Sequence, residues 1–148
     1  MSQDNKIAVV VAPADKASVI QKAGEIATLT PWRVNIPAGD KNKYTVISTG
    51  RAGMDDVFVN QMTAHPELVP SYVDMTEVQK DINFRKDVAE LLAALTPIVE
   101  GLQDAALLAS SDCFNAFSAF KHSVDTAAAR NVAGADTIKA ALDQFFPG

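Results

Sequence analysis

The chain reads as an all-α protein, an up-and-down four-helix bundle with a short extra helix at its C-terminus. Three observations predict this. Apolar side chains recur at helical spacing from Val88 to Asn131, whereas five of the seven prolines fall before residue 71. The 148 residues are 48% hydrophobic and 21% charged, which suits one self-sufficient core, because chains of this size bury roughly 68–70% of their unfolded surface. Residues 1–148 are therefore expected to form a single helical-bundle domain, with 1–12 and 31–52 irregular or in short extended segments.

The first helix is expected to start at Pro13, whose missing N–H costs nothing in a first turn. Val19, Ala23 and Ile26 make a narrow apolar stripe, and the helix stops near Thr30-Pro31, since proline disfavours helical geometry in the residue before it. Trp32 to Gly50 reads as connection, with Pro37, Gly39, Asp40 and Asn42 as turn residues. A shorter helix runs from about Gly53, faced by Met54, Val57, Phe58 and Met62, and ends before His65-Pro66. Two β-branched runs, Ile7–Ala12 and Tyr44–Ser48, offer the alternative of a minor N-terminal β-ribbon, which would need a helix to cover it.

The back half is more regular. Asp74-Met75-Thr76-Glu77 has the spacing of a capping box, with Asp74 accepting from the third helical N–H and Glu77 reaching back. Val88, Leu92, Leu95, Val99, Leu102, Ala106 and Ala109 follow at alternating steps of four and three, the seam of a helix packed nearly parallel to its neighbours. Leu91 and Ile98 widen that seam. Pro97, helped by Gly101, should kink it. Ser110-Ser111-Asp112 suits a fresh helix start, and Cys113, Phe117, Phe120, Val124, Ala127 and Asn131 resume the rhythm. The short connection predicts an antiparallel hairpin of two long helices. Gly134 is expected to release the chain through a left-handed conformation, before a last helix with Ala135, Ile138, Leu142 and Phe145, closed by Pro147-Gly148.

The phrases Phe58-Val59, His65-Pro66-Glu67-Leu68-Val69-Pro70-Ser71-Tyr72-Val73-Asp74, Lys80-Asp81, Leu92 to Leu102 with Asp104, Ser110-Ser111-Asp112, Phe117, Lys121 and Gly134-Ala135-Asp136-Thr137-Ile138 with Leu142 and Phe145-Phe146-Pro147 carry a resemblance. From Met54 to Gly148 the chain resembles a family of small, uncharacterised bacterial proteins thought to fold as all-α bundles. The resemblance implies a fold and a bacterial origin. It implies no activity, cofactor or catalytic residue.

Charge and motifs narrow the chemistry. The net charge is −5 and the pI about 4.9, which argues against a general nucleic-acid binder. Residues 1–52 nevertheless hold seven basic groups against four acidic ones (Lys6, Lys16, Lys22, Arg33, Lys41, Lys43, Arg51). These form either a solvated surface or a face for an anionic partner. Cys113 is the one cysteine, so an intrachain disulfide and a cysteine-built zinc site are excluded. No signal-like basic region opens the chain, and no run approaches ~20 consecutive apolar residues. A soluble, cytoplasmic protein that does not span a membrane is the expectation.

A bundle raises the di-iron carboxylate site, which needs Glu-x-x-His pairs; three residues before His65 stands Met62, and before His122, Ala119. Neither nucleotide-binding glycine fingerprint occurs. Gly50-Arg51-Ala52-Gly53 is a turn that opens a helix, or an anion site. Cys113, His122 and Asp125 are the pieces of a nucleophile, base and orienter, but nine residues of helix separate Cys113 from His122 by ~13 Å. Asp81 and Arg85 form either a solvated i, i+4 pair or, with Lys121, a polar cluster between helices. Phe117 and Phe120 should enter the core, and Phe114 should meet Phe145 or Phe146, unless the three make an aromatic patch that pairs subunits. No catalytic, cofactor-binding or metal-binding residue is assigned. The expected role is a non-enzymatic binding or protein-interaction module, a homo-oligomer or the partner of another protein. The alternative is a small-molecule or enzymatic pocket between helices, near Pro97-Gly101 or Asp81 and Arg85.

Overall fold

A computed structural model describes residues 5–47, 51 and 53–146. It is all-helical: α1 (Pro13–Leu29), a 3-10 turn (Ala38–Lys43), α2 (Met54–Ala64), a second 3-10 turn (Pro66–Leu68), α3 (Met75–Ala129) and α4 (Ala135–Asp143). No strand occurs among the described residues. The β-ribbon is therefore not formed by Ile7–Ala12 with Tyr44–Ile47; Ser48 lies outside the described residues, as do Gly50, Ala52 and Pro147-Gly148.

Helix ends follow local chemistry. Pro13 occupies the first turn of α1 and Asp15 stands beside it, where a carboxylate favours the positive end of the helix. At the other end Arg33 donates through Nε to Thr30 O at 3.1 Å and through a terminal nitrogen to Ala27 O at 3.5 Å, satisfying carbonyls left over where the helix stops. Gly53, at φ +83°, precedes α2, and a left-handed residue there suits glycine because a Cβ would be strained. Asp74 does cap α3, but it accepts from Thr76 N at 2.8 Å, the second helical residue rather than the third. Glu77 turns to Lys80 instead, at 2.8 Å.

The largest correction concerns α3. The expected break at Ser110-Ser111-Asp112 is absent, and one helix of 55 residues runs from Met75 to Ala129 through Pro97 and Gly101. Serine and aspartate inside a helix cost only about half a kcal/mol each relative to alanine, and no proline or glycine lies between Leu102 and Ala133 to force an exit. The antiparallel hairpin of two helices therefore does not form, and a single long helix stands in its place. The true exit is at Asn131, at φ +57°. Val132 N donates to Ala127 O at 3.0 Å and Asn131 N to Ala128 O at 3.0 Å, the paired bonds of a left-handed helix stop. Gly134, at φ +83°, serves the next element as the residue before α4.

The chain divides into two compact units, residues 11–93 and residues 1–10 with 94–148. The first holds α1, both 3-10 turns, α2 and the start of α3. Trp32 meets Phe84 edge to face at 5.0 Å, and Ile82 is buried. Val19, Ile20 and Leu29 of α1 are exposed. In the second, Val124 of α3 and Ala135 of α4 are buried, and Phe114 packs on Phe146 with centroids 5.8 Å apart.

Asn131→Ala should destabilise the second unit by about 0.5–1 kcal/mol, because alanine lacks the local polar side chain with which asparagine offsets part of the left-handed strain, whereas Asn131→Gly should match or exceed wild type. Urea unfolding followed by circular dichroism reads the difference.

Candidate functional site

The feature of the second unit is the apolar face of α3. Leu95, Val99, Leu102, Phe117 and Phe120 were expected to form a bundle core. Instead Leu102 is 61% exposed, Phe117 62% and Phe120 55%. Ile98, Leu95 and Val99 are exposed beside them, as are Ala106, Ala109 and Cys113. Among the described residues of this unit no second helix covers these side chains, because the hairpin partner they were expected to meet is the continuation of the same rod. At 100° per residue the polar Glu100, Asp104, Ser111 and His122 fall on the opposite side.

Two structures border this face. On one side the N-terminal segment is tied to α3 by Asp112, a buried carboxylate. It accepts from Lys6 N at 2.9 and 3.2 Å and from Ile7 N at 3.1 Å. Asp112, expected to start a helix, instead satisfies backbone donors more than a hundred residues away in sequence. On the other side α4 is held by a ring of alternating charges. Lys121 Nζ lies 2.6 Å from Asp125 and 2.9 Å from Asp143; Lys139 Nζ lies 2.6 Å from Asp143 and 3.8 Å from Asp125. Hydrogen bonds to Asp125 and then Asp143 raise the Lys121 pKa above the ordinary lysine value. Hydrogen bonds from Lys139 and then Lys121 lower that of Asp143.

In the first unit the groups around Asp81 and Arg85 are rearranged relative to expectation. Arg85 forks onto Asp55 of α2, at 3.1 and 3.2 Å, so a long-range pair replaces the i, i+4 pair with Asp81. Lys121 belongs to the other unit's network and takes no part. Asp55, Asp81 and Arg85 line a shallow cleft of about 270 Å³ with Met54, Phe58 and Ile82. Next to it, sharing Phe58 and Met62, lies an open apolar groove of about 540 Å³, lined also by Val57, His65 and Leu68 among others. His65 Nδ1 lies 3.3 Å from Glu67.

The remaining candidates stay apart. Cys113, His122 and Asp125 all lie on α3, with Cys113 and His122 separated by ~13 Å of helix and Asp125 bound to lysines. Among the described residues no group of three or more His, Cys, Asp and Glu side chains converges as a metal site would. Of Gly50-Arg51-Ala52-Gly53, Gly50 and Ala52 lie outside the described residues, and behind Gly53 the first turn of α2 carries Asp55 and Asp56. Of the basic front-half residues, Lys43 pairs with Asp40 at 2.7 Å and Arg33 caps α1.

The ring around Lys121 titrates at both ends. Asp143 contributes stability above its ordinary carboxylate range, lost as pH falls through its lowered value; Lys121 contributes below its ordinary range, lost as pH rises through its raised value. Amide hydrogen exchange in α4 should therefore be slowest at neutral pH relative to its intrinsic rate, and faster below about pH 4 and above about pH 10. Lys121→Met should remove much of that protection at neutral pH.

The chain matches no family model, no curated protein and no solved structure, so the resemblance in the back half brings it no family and no function.

Proposed function

We propose that this protein is a non-enzymatic interaction module that self-associates through the apolar face of α3. One observation carries the reading: Ile98, Leu102, Phe117 and Phe120 stand exposed on a single helix face at the spacing of a packing seam. Leaving such side chains in water forfeits roughly 1.5–3 kcal/mol apiece. The neighbouring positions that would flank a coiled-coil seam between Ala89 and Ser110 carry no charge: Leu91, Ile98 and Ala105 on one side, Ala89, Thr96, Gln103 and Ser110 on the other. Over that stretch like charges do not oppose a second copy. The facing helix that the rhythm calls for is then supplied by the α3 of a second copy instead of from within one chain.

We place the protein in soluble form in the cytoplasm. By length and composition α3 is apolar enough to cross a membrane. Yet Glu100, Gln103 and Asp104 sit in the middle of its most apolar stretch, where an aspartate costs about 2.5–3.5 kcal/mol in hydrocarbon. The net charge of −5 favours protein partners over nucleic acid.

A second reading, small-molecule binding, rests on the apolar groove beside α2, whose volume of about 540 Å³ falls in the range of ligand pockets. Saturable uptake of an apolar dye that is lost in Met62→Glu and kept in Leu102→Glu would favour it.

Sedimentation at tens of micromolar should give a mass at least twice the 15.8 kDa of one chain. Leu102→Ala should weaken association by at least about tenfold, since one buried leucine is worth roughly 1.5–3 kcal/mol. Leu102→Glu should yield monomer. A wild type that is strictly monomeric overturns the reading.

A further inference from the structure

We propose that the end of α3 binds a small phosphate monoester, in the cleft of about 310 Å³ lined by His122, Ser123, Thr126, Ala127, Arg130 and Val132. The chain builds this cleft by its exit from the helix. His122, Ser123, Thr126 and Arg130 fall within about 100° of one another around the axis. At Asn131, whose φ is +57°, the backbone turns back, and Val132 N reaches Ala127 O at 3.0 Å. That turn sets Val132 as a wall of the cleft. The four polar side chains lie roughly 75–175° round the helix from the centre line of the apolar stripe, so the site stands apart from the self-association proposed above.

Charge selects the ligand. Residues 94–148 carry six acidic side chains, yet among the described residues none lines this cleft. Asp125, close by in sequence, is hydrogen-bonded to Lys121 at 2.6 and 2.8 Å. Of the three Lys and Arg side chains in that span, Lys121 and Lys139 are each met by Asp125 and Asp143. The Arg130 guanidinium has no ion-pair or hydrogen-bond partner among the described residues, and neither do the Ser123 hydroxyl and the His122 ring. A guanidinium forks onto two oxygens of one anion, and a helical side chain leans over the turn before it, which brings Arg130 back over Thr126. The Ser123 O–H and an imidazole N–H then approach from the other end. The Thr126 hydroxyl, which donates to His122 O at 3.0 Å, can rotate its proton to the anion. A planar carboxylate has two oxygens, and the fork uses both; a phosphoryl group has three and serves both ends. Bare carbonyls at a helix end repel anions, but here they are taken. Thr126 O accepts from Arg130 N at 3.2 Å, and Ala128 O from Asn131 N at 3.0 Å. Ala127 and Val132 leave an apolar wall for the organic part of the ester.

Amide NMR of the full chain at constant ionic strength tests the site, with phenyl phosphate as the probe and benzoate as the carboxylate control. Phenyl phosphate should give saturable shifts centred on residues 122–132, with a dissociation constant of about 1 mM or tighter. Arg130→Gln, which removes the unpaired guanidinium and leaves the fold's ion pairs untouched, should weaken binding at least about tenfold. Arg130→Lys, which keeps the charge and loses the fork, should fall between the two. Benzoate should bind wild type at least about tenfold more weakly than phenyl phosphate does. Shifts that never saturate, or equal affinity in wild type and Arg130→Gln, overturn the site. Benzoate binding as tightly as phenyl phosphate overturns the assignment to a phosphate ester.

Discussion

The constraint on which the rest depends is the uncovered apolar face of α3. A helix that buries one stripe in a bundle must find a facing helix, and the usual source is the same chain folded back through a turn. Here the residues at the midpoint, Ser110-Ser111-Asp112, remain helical, so the two halves of the seam cannot face each other. Leu102 and Phe117, which a hairpin would have brought together, lie fifteen residues apart on one rod, about 22 Å by helical rise. The cover that a hairpin would have supplied is not formed by α3 itself.

Around that face, polar chemistry is used to fasten the flanks. Asp112 gathers the Lys6 and Ile7 amides, which turns a residue that disfavours helix interiors into an anchor for the N-terminal segment. Lys121, Asp125, Lys139 and Asp143 join α4 to α3, where each carboxylate is approached by lysine nitrogens from both helices. An isolated surface ion pair contributes little, but a closed ring fixes the angle at which a short helix sits. Val124 and Ala135 are buried beside it, so a small apolar contact and the charges act together.

Much of the local structure was legible because local signals have short-range causes. Pro13, Thr30-Pro31, Gly53 and His65-Pro66 each marked an end that α1 or α2 observes, since a missing N–H or a positive φ acts within one turn. The heptad-like rhythm was equally legible as a face. Its partner was not, because spacing records which residues share a side and says nothing of what lies opposite. The hairpin failed for a physical reason: serine and aspartate cap helices and are also tolerated within them, so Ser110-Ser111-Asp112 is ambiguous, whereas the step from Ala109 to Cys113 continues the stripe unbroken. Asn131 was passed over for Gly134, although asparagine is the other residue that enters left-handed geometry readily. Arg85 with Asp55, and Asp112 with Lys6 and Ile7, join residues far apart in sequence and leave no periodic trace.

The uncovered face also constrains what can cover it. A bilayer would surround the whole circumference of α3, and would have to take up Glu100, Gln103 and Asp104 along with the leucines. A globular ligand the size of the α2 groove would cover one or two turns. The exposed residues from Leu95 to Phe120 span about seven turns on one side, with a segment and a helix already fastened along its flanks. A cover of that length and width is a rod with a matching apolar stripe, which is the shape of the occupant proposed above.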